Sequence, residues 1–457
     1  MHGVWRPASI ATFAASIAGA CGEAGPTARS LTASCDIVPG VPTALAVAND
    51  QRTSAGVRFA DTVDLQIDIR RAVLLPEGDA GPRLDIVAFG EAGGAASQPG
   101  PLVRATVGTT VLARVCNTLA DTVWLVGLAH RGDTVVAAPG HTAESIFTLD
   151  APGAREYRGI TRQDTLFRPA GPTATLAGAI VVDGDARRGD RVLVITDWAP
   201  DPDGDAFALM INGRSWPHTE RLQYAIGDTA RWIVMNASPV EHPMHLHGFH
   251  FLVTARSDAV RDSIYTKEQR RLAVTELLLP GQSMAVEWVP ERGGRWLLHC
   301  HIASHMAEGQ RIAMLGLARP DTLDMHTEQH AERAMAGLVL GIEVTGDPRA
   351  GLPSGEVRQR ERLLVQDRPG VYPGGVPGYG YVLHRGEEPD ADSIVVPGPP
   401  IVITRGERSE INVVNRLAAR PHRPRAPAGR SGSLNERSQR RDQPTNICIE
   451  RHIGTRE

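Results

Sequence analysis

Lysine is nearly absent from this chain: Lys267 stands alone among 48 basic residues, and the rest are arginine. Aromatic residues are also scarce, at 5% of 457 residues, and there are only five cysteines. No stretch reaches the roughly 18 unbroken apolar residues that a membrane-spanning helix needs, so no transmembrane span is expected. The net charge of −4 gives no field that would select a polyanion, which sets nucleic acid aside as a partner. What is plentiful is glycine (47) and proline (33), which argues for many short strands joined by turns and against a helical bundle. A chain of this length exceeds one compact core, and about three domains are expected.

The N-terminus carries Arg6, then a weakly apolar run from Ala8 to Ala20 that ends in small residues before Cys21. Residues 1–21 therefore read as an export signal, and a periplasmic or extracellular location is expected. Two fates remain open for Cys21: lipid attachment, or simple cleavage of the signal. Export permits a disulfide between Cys35 and Cys116, but Cys116 closes an alternating apolar run and suits a buried thiol equally well. Cys300 differs from these because it stands between two histidines.

A repeat organises the chain. PGPLVRATVGTTVLARVCNTLA at 99–120 aligns without a gap on PGPPIVITRGERSEINVVNRLA at 397–418, bringing Gly108 onto Gly406 and Asn117 onto Asn415. A third copy, YAIGDTARWIVMNAS, keeps the same spacing from Gly227 to Asn236. Each copy is a turn glycine, an alternating strand and an asparagine turn, the pattern of a β-sandwich. The repeat continues in two units, where PGHTAESIFTLDAPGAREYRGI (139–160) matches PGQSMAVEWVPERGGRWLLHCHI (280–302). Unit one is expected over 60–165, unit two over 185–320 and the start of a third over 355–418.

Unit two holds EHPMHLHGFHF at 241–251 and WLLHCHIASHMAEGQ at 296–310, which together contain seven of the sixteen histidines. On a strand, successive side chains point to opposite faces, so His299 and His301 share one face and Cys300 takes the other. One segment thus serves two sites. His245 and His247, also two apart, can turn to the same side. On the Cys300 side, a thiolate with two imidazoles suits a blue-copper electron-transfer centre, and His242 and His305 can supply the imidazoles. A tetrahedral zinc site would account for Cys300 with two histidines but would leave the paired histidines unexplained. The isolated histidines His130, His141, His218, His250, His326 and His384 read as ordinary satisfied core residues.

HPMHLHG and HCHIASHMAEG resemble two copper signatures of the multicopper oxidases, the family of laccases, ascorbate oxidase and ceruloplasmin. The resemblance implies an all-β fold of tandem cupredoxin-like Greek-key sandwiches, two complete and a partial third. It implies His242, Cys300 and His305 at a type 1 copper, with Cys300 and His305 carrying the electron entry. It implies His245 at type 2 copper, and His247, His299 and His301 at the type 3 pair. Gln310 stands where most members carry Met or Leu after the last glycine and is a candidate axial ligand.

The same resemblance calls for eight histidines at the trinuclear cluster, and four of them are missing. Aligned on its glycine, unit one reads TVWLVGL, with Trp124 and Val126 at ligand positions, and YRGI, with Arg158 and Ile160 at the other pair. In unit three the motif is due soon after Asn415, but the chain reads ARPHRPRAPAGRSGS, with His422 followed by Pro424 where a partner histidine would stand. Residues 419–457, with nine arginines and four acids, read as a basic, disordered tail. Three functions are carried forward. The first is a copper oxidoreductase that takes electrons from a small-molecule or metal-ion donor and directs them toward oxygen. The others are an electron carrier holding type 1 copper alone and a copper-free sandwich that binds protein.

Overall fold

The computed structural model describes residues 35–162, 171–184, 190–199, 207–306, 312, 335–348, 350, 356–384, 394, 398–404, 407–417 and 445–447. The expected export signal, Cys21, His326, Gln310, His422 and Cys448 lie outside the described residues. Among the described residues, apart from short 3-10 turns, the regular structure is strand throughout.

Alternation dictates the first sandwich. Thr62–Leu74 (TVDLQIDIRRAVL) buries Val63, Leu65, Ile67 and Ile69 and turns the residues between them outward. It lies between Leu84–Glu91 and Thr110–Asn117 in a seven-stranded sheet. The facing five-stranded sheet runs Val103–Thr106, Ala177–Asp183, Gly153–Ile160, Val123–Val126, Thr134–Ala137. Phe89, Phe147 and Tyr157 fill the space between the sheets. The Cys35–Cys116 disulfide ties the N-terminal segment to the Thr110–Asn117 strand, which decides between the two readings left open for Cys116.

Unit two repeats this plan. Its five-stranded sheet runs Arg221–Ala225, Val339–Thr345, Gly294–Cys300, His242–Leu246, Thr275–Leu278, the same order and the same parallel first pair. The facing sheet contains Arg191–Trp198, Ala230–Asn236, Ser283–Trp288 and Phe251–Ser257, and Trp232 and Trp288 meet edge to face between them at 5.2 Å. The repeated glycine and asparagine have a visible task. Gly108 and Gly227 take positive φ (88° and 86°), where a side chain would be strained. The carboxamide oxygens of Asn117, Asn236 and Asn415 each accept the N–H two residues on, closing the same turn in all three units.

The expected ends at 165 and 320 fall short. Each sandwich closes on a further strand, Ala177–Asp183 or Val339–Thr345, that pairs parallel to an earlier one. AGAIVVD is buried at every position, and VLGIEVT at its first four, so neither shows the period-two signal by which a half-exposed strand is found. Ala177, Ala179 and Val181 pack on Val192, Val194, Ile233 and Met235, so an apolar layer joins the two sandwiches. Among the described residues, unit three supplies a four-stranded sheet, Val376–His384, Gln359–Tyr372, Ser409–Asn415, Thr445–Ile447, with a small cluster of Leu364, Val382 and Ile394 and Val414 packed against it. Its last strand corrects one expectation: the tail predicted to lack strands contributes Thr445–Ile447, paired with Ile411–Val413 through backbone groups that need no apolar pattern.

Candidate metal centres

Two strands of unit two build both centres. His242–Leu246 pairs antiparallel with Gly294–Cys300, setting Met244 opposite Cys300 and His245 opposite His299. On the inner face, Cys300 meets His242 and His305, the latter from the 3-10 turn Ala303–His305. Cys300 Sγ lies 3.6 Å from His242 Nδ1 and 3.5 Å from His305 Nδ1, and the two Nδ1 atoms are 3.2 Å apart. A triangle with these edges has a centre about 2 Å from each corner, the length of a metal–nitrogen bond and a little short of metal–sulfur. His242 and Cys300 are fully buried, and His305 is 9% exposed.

The tautomer of His242 is fixed from behind. Its Nε2 is 2.7 Å from Ser238 Oγ, and that hydroxyl is also 2.8 Å from Asn236 Oδ1 and 3.2 Å from the Val240 carbonyl. Both of these oxygens are acceptors, so the single hydroxyl proton goes to one of them and the oxygen accepts from His242 Nε2–H. The lone pair of Nδ1 is then held toward Cys300 and His305. Burial pushes the Cys300 thiol up to about 11, with the charge of Glu241 adding to it and the Ile302 N–H opposing. Burial, with His305 adding to it, brings His242 down to about 3. Without a metal the pocket is therefore neutral, and a metal ion entering it must displace the thiol proton.

On the outer face the ligand atoms of His245, His247 and His299 lie within 4.8 Å of one another. His299 Nδ1 donates to its neighbour's carbonyl, Cys300 O, at 2.8 Å, which leaves Nε2 bare and 2.8 Å from His247 Nε2. His245 Nδ1 sits 2.8 Å from Thr275 Oγ1 on the adjoining strand. Desolvation lowers all three imidazoles, His247 to about 4. His301 is exposed and stacks on His299 at 5.8 Å, with its ring 5.0 Å from that of His245. Of the isolated histidines, His130, His141, His218 and His250 are exposed and His384 is half-buried, so none of these is the core residue expected.

Among the described residues, the unit-one positions that correspond to these histidines carry no metal-binding side chain, and the strand register corrects which residues stand there. Val123 pairs with Ala137 as His242 pairs with Leu278, and Arg158 pairs with Val126 as His299 pairs with His245. The counterparts of His245 and His247 are therefore Val126 and Leu128. The shared glycine had suggested Trp124 and Val126, but unit two carries two more residues between the asparagine turn and that glycine. Arg158, at the place of His299, turns to Glu156 and donates to the Ala237 carbonyl of unit two at 2.9 Å. Ser238 and Thr275 were not found from sequence. Ser238 lies two residues after the repeat asparagine, which could have drawn attention to it; Thr275 gave no signal before its strand was paired.

Residues 190–316 match the profile of a family described as multicopper oxidase. Laccase-3 of Arabidopsis thaliana is 34% identical over 86 residues, covering 17% of this chain and 15% of that protein. Human ceruloplasmin is 29% identical over 114 residues, covering 24% of this chain and 10% of its own. The chain thus spans only a small part of the curated relatives it matches. Among solved structures, a blue copper oxidase from Nitrosomonas europaea superimposes with a TM-score of 0.48 at 20% identity, covering 62% of this chain and 86% of that one.

Proposed function

We propose that this chain, whose residues 190–316 match the multicopper oxidase profile, is a copper-dependent oxidoreductase whose electron-entry site is His242, Cys300 and His305. The observation that carries this reading is the buried triangle of one sulfur and two Nδ1 atoms, sized for a metal ion and backed by Ser238. Thiolate with two imidazoles suits copper, which when bound would supply one-electron redox chemistry. Cys300 and His242, fully buried, keep water from the site. His305, the most exposed of the three, is the edge at which a donor would approach. Ser238 holds the His242 ring in one orientation, so the donor set needs little rearrangement on a change of charge. Cys300 is bonded directly to His299 and His301, which gives a covalent route of one residue between the two faces.

The donor is proposed as a small organic molecule or a metal ion and the acceptor as oxygen, acting at the outer face. A second reading, an electron carrier with the first centre alone, draws on Val126, Leu128, Arg158 and Ile160 standing where the other half of a cluster would be. The test is to load the full chain with Cu(II). Intense absorption at about 600 nm that disappears in Cys300→Ser supports the reading, and its absence in the wild type refutes it. Oxygen consumption with a phenolic donor separates the oxidoreductase from the carrier.

A further inference from the structure

The donors of the outer face do not fit a three-ion cluster. Among the described residues it offers four imidazoles, of which three converge, and the unit-one positions that would answer them carry valine, leucine, arginine and isoleucine. We propose that this face holds one divalent copper ion, bound by His245, His247 and His299, with a coordination position open to solvent. It rests on the reading of unit two as a copper domain but is independent of the inner site.

Three features point to a single ion. His299 Nδ1 is committed to the Cys300 carbonyl and His245 Nδ1 faces Thr275 Oγ1, so each ring is held by its outer nitrogen and presents Nε2. The bare Nε2 of His299 lies 2.8 Å from His247 Nε2, and two nitrogen lone pairs approach that closely only with a proton or a cation between them. All three ligands are neutral. Two doubly charged ions side by side repel roughly four times as strongly as a unit pair, and no carboxylate joins this group among the described residues. The nearest acidic side chain on the adjoining strand, Glu276, is buried and paired with Arg256 and Arg271. One ion with three imidazoles and a free position is the arrangement of an open metal site, which would take water or a small anion. His301, exposed and stacked on His299, stands at its rim.

The experiment uses the full chain. After saturation with Cu(II) and removal of excess, metal analysis should give two coppers per wild-type chain, one associated with the blue absorption and one nearly colourless with an ordinary cupric EPR signal. Cys300→Ser should retain one copper and lose only the blue band. His247→Ala should keep the blue band and lose the colourless copper, and azide should shift the EPR signal of the colourless copper alone. Three coppers on the outer face, or an EPR-silent coupled pair there, would overturn the proposal, as would a Cys300→Ser protein that binds none. Loss of the blue band from the wild type with the colourless copper retained would refute the reading of the inner site and leave this one standing.

Discussion

Removing the Ser238 hydroxyl isolates the support behind the inner site. In Ser238→Ala the asparagine turn keeps the backbone N–H of residue 238 on Asn236 Oδ1, at 3.0 Å in the parent, so the chain path should hold. What is lost is the acceptor for His242 Nε2–H, in a place where Ser238 is 1% exposed and His242 is fully buried. Two states are then open to the imidazole. It can leave Nε2–H unpaired, which costs about 1–3 kcal/mol. Alternatively it can move its proton to Nδ1, which points that proton at the metal position. Both oppose metal binding, and the loss of one hydrogen-bonded support typically lowers affinity about 10–100-fold. Copper affinity measured by chelator competition at neutral pH should fall by that factor, while urea unfolding of the metal-free protein shows a change of no more than about 3 kcal/mol. An affinity within roughly threefold of wild type, with an unaltered visible spectrum, would show that Ser238 does not orient His242.

Four further outcomes follow from the same structure. Burial holds His242 at about 3 and His247 at about 4, below the ordinary value of 6.5, so the unfolded chain takes up more protons than the folded one between these limits. Stability of the metal-free protein should be full above pH 6.5 and decline as pH falls toward 3, as read by urea midpoints; a flat profile over that range contradicts the burial. Because the Cys300 thiol is pushed up to about 11, copper binding at the inner site should release one proton at neutral pH, measurable by calorimetry in buffers of different ionisation enthalpy. The Cys35–Cys116 disulfide closes a sequence separation of 81 residues, for which chain entropy gives about 4.5 kcal/mol as an upper figure. Cys35→Ser/Cys116→Ser should unfold at clearly lower urea, and an unchanged midpoint would rule out that contribution. Gly248 has φ +78°, and a Cβ there would collide with the Trp296 ring. Gly248→Ala should therefore displace His247 and weaken the outer site, leaving the blue absorption in place, and equal copper content in mutant and wild type would count against that coupling.

The sequence by itself determined the strands and the parity of the site. Alternation in Thr62–Leu74 and the spaced Gly and Asn of three copies required a pleated, turn-rich fold, because those patterns are local. His299 and Cys300 had to face opposite ways, because strand geometry allows nothing else. Tertiary structure decided what depends on residues far apart in the chain. It chose disulfide over thiol for Cys116, and it brought His242 onto Cys300 across 58 positions of sequence and set it beside His305, 63 positions away. Ser238 became legible only once its hydroxyl was seen behind His242, and Thr275 only once its strand lay beside His245. The closing strand Ala177–Asp183 was hidden because both its faces are buried, and Val339–Thr345 because its first four residues are. Strand register moved the unit-one counterparts to Val126 and Leu128, since hydrogen-bonded pairing, unlike a shared glycine, counts every residue between the turn and the site.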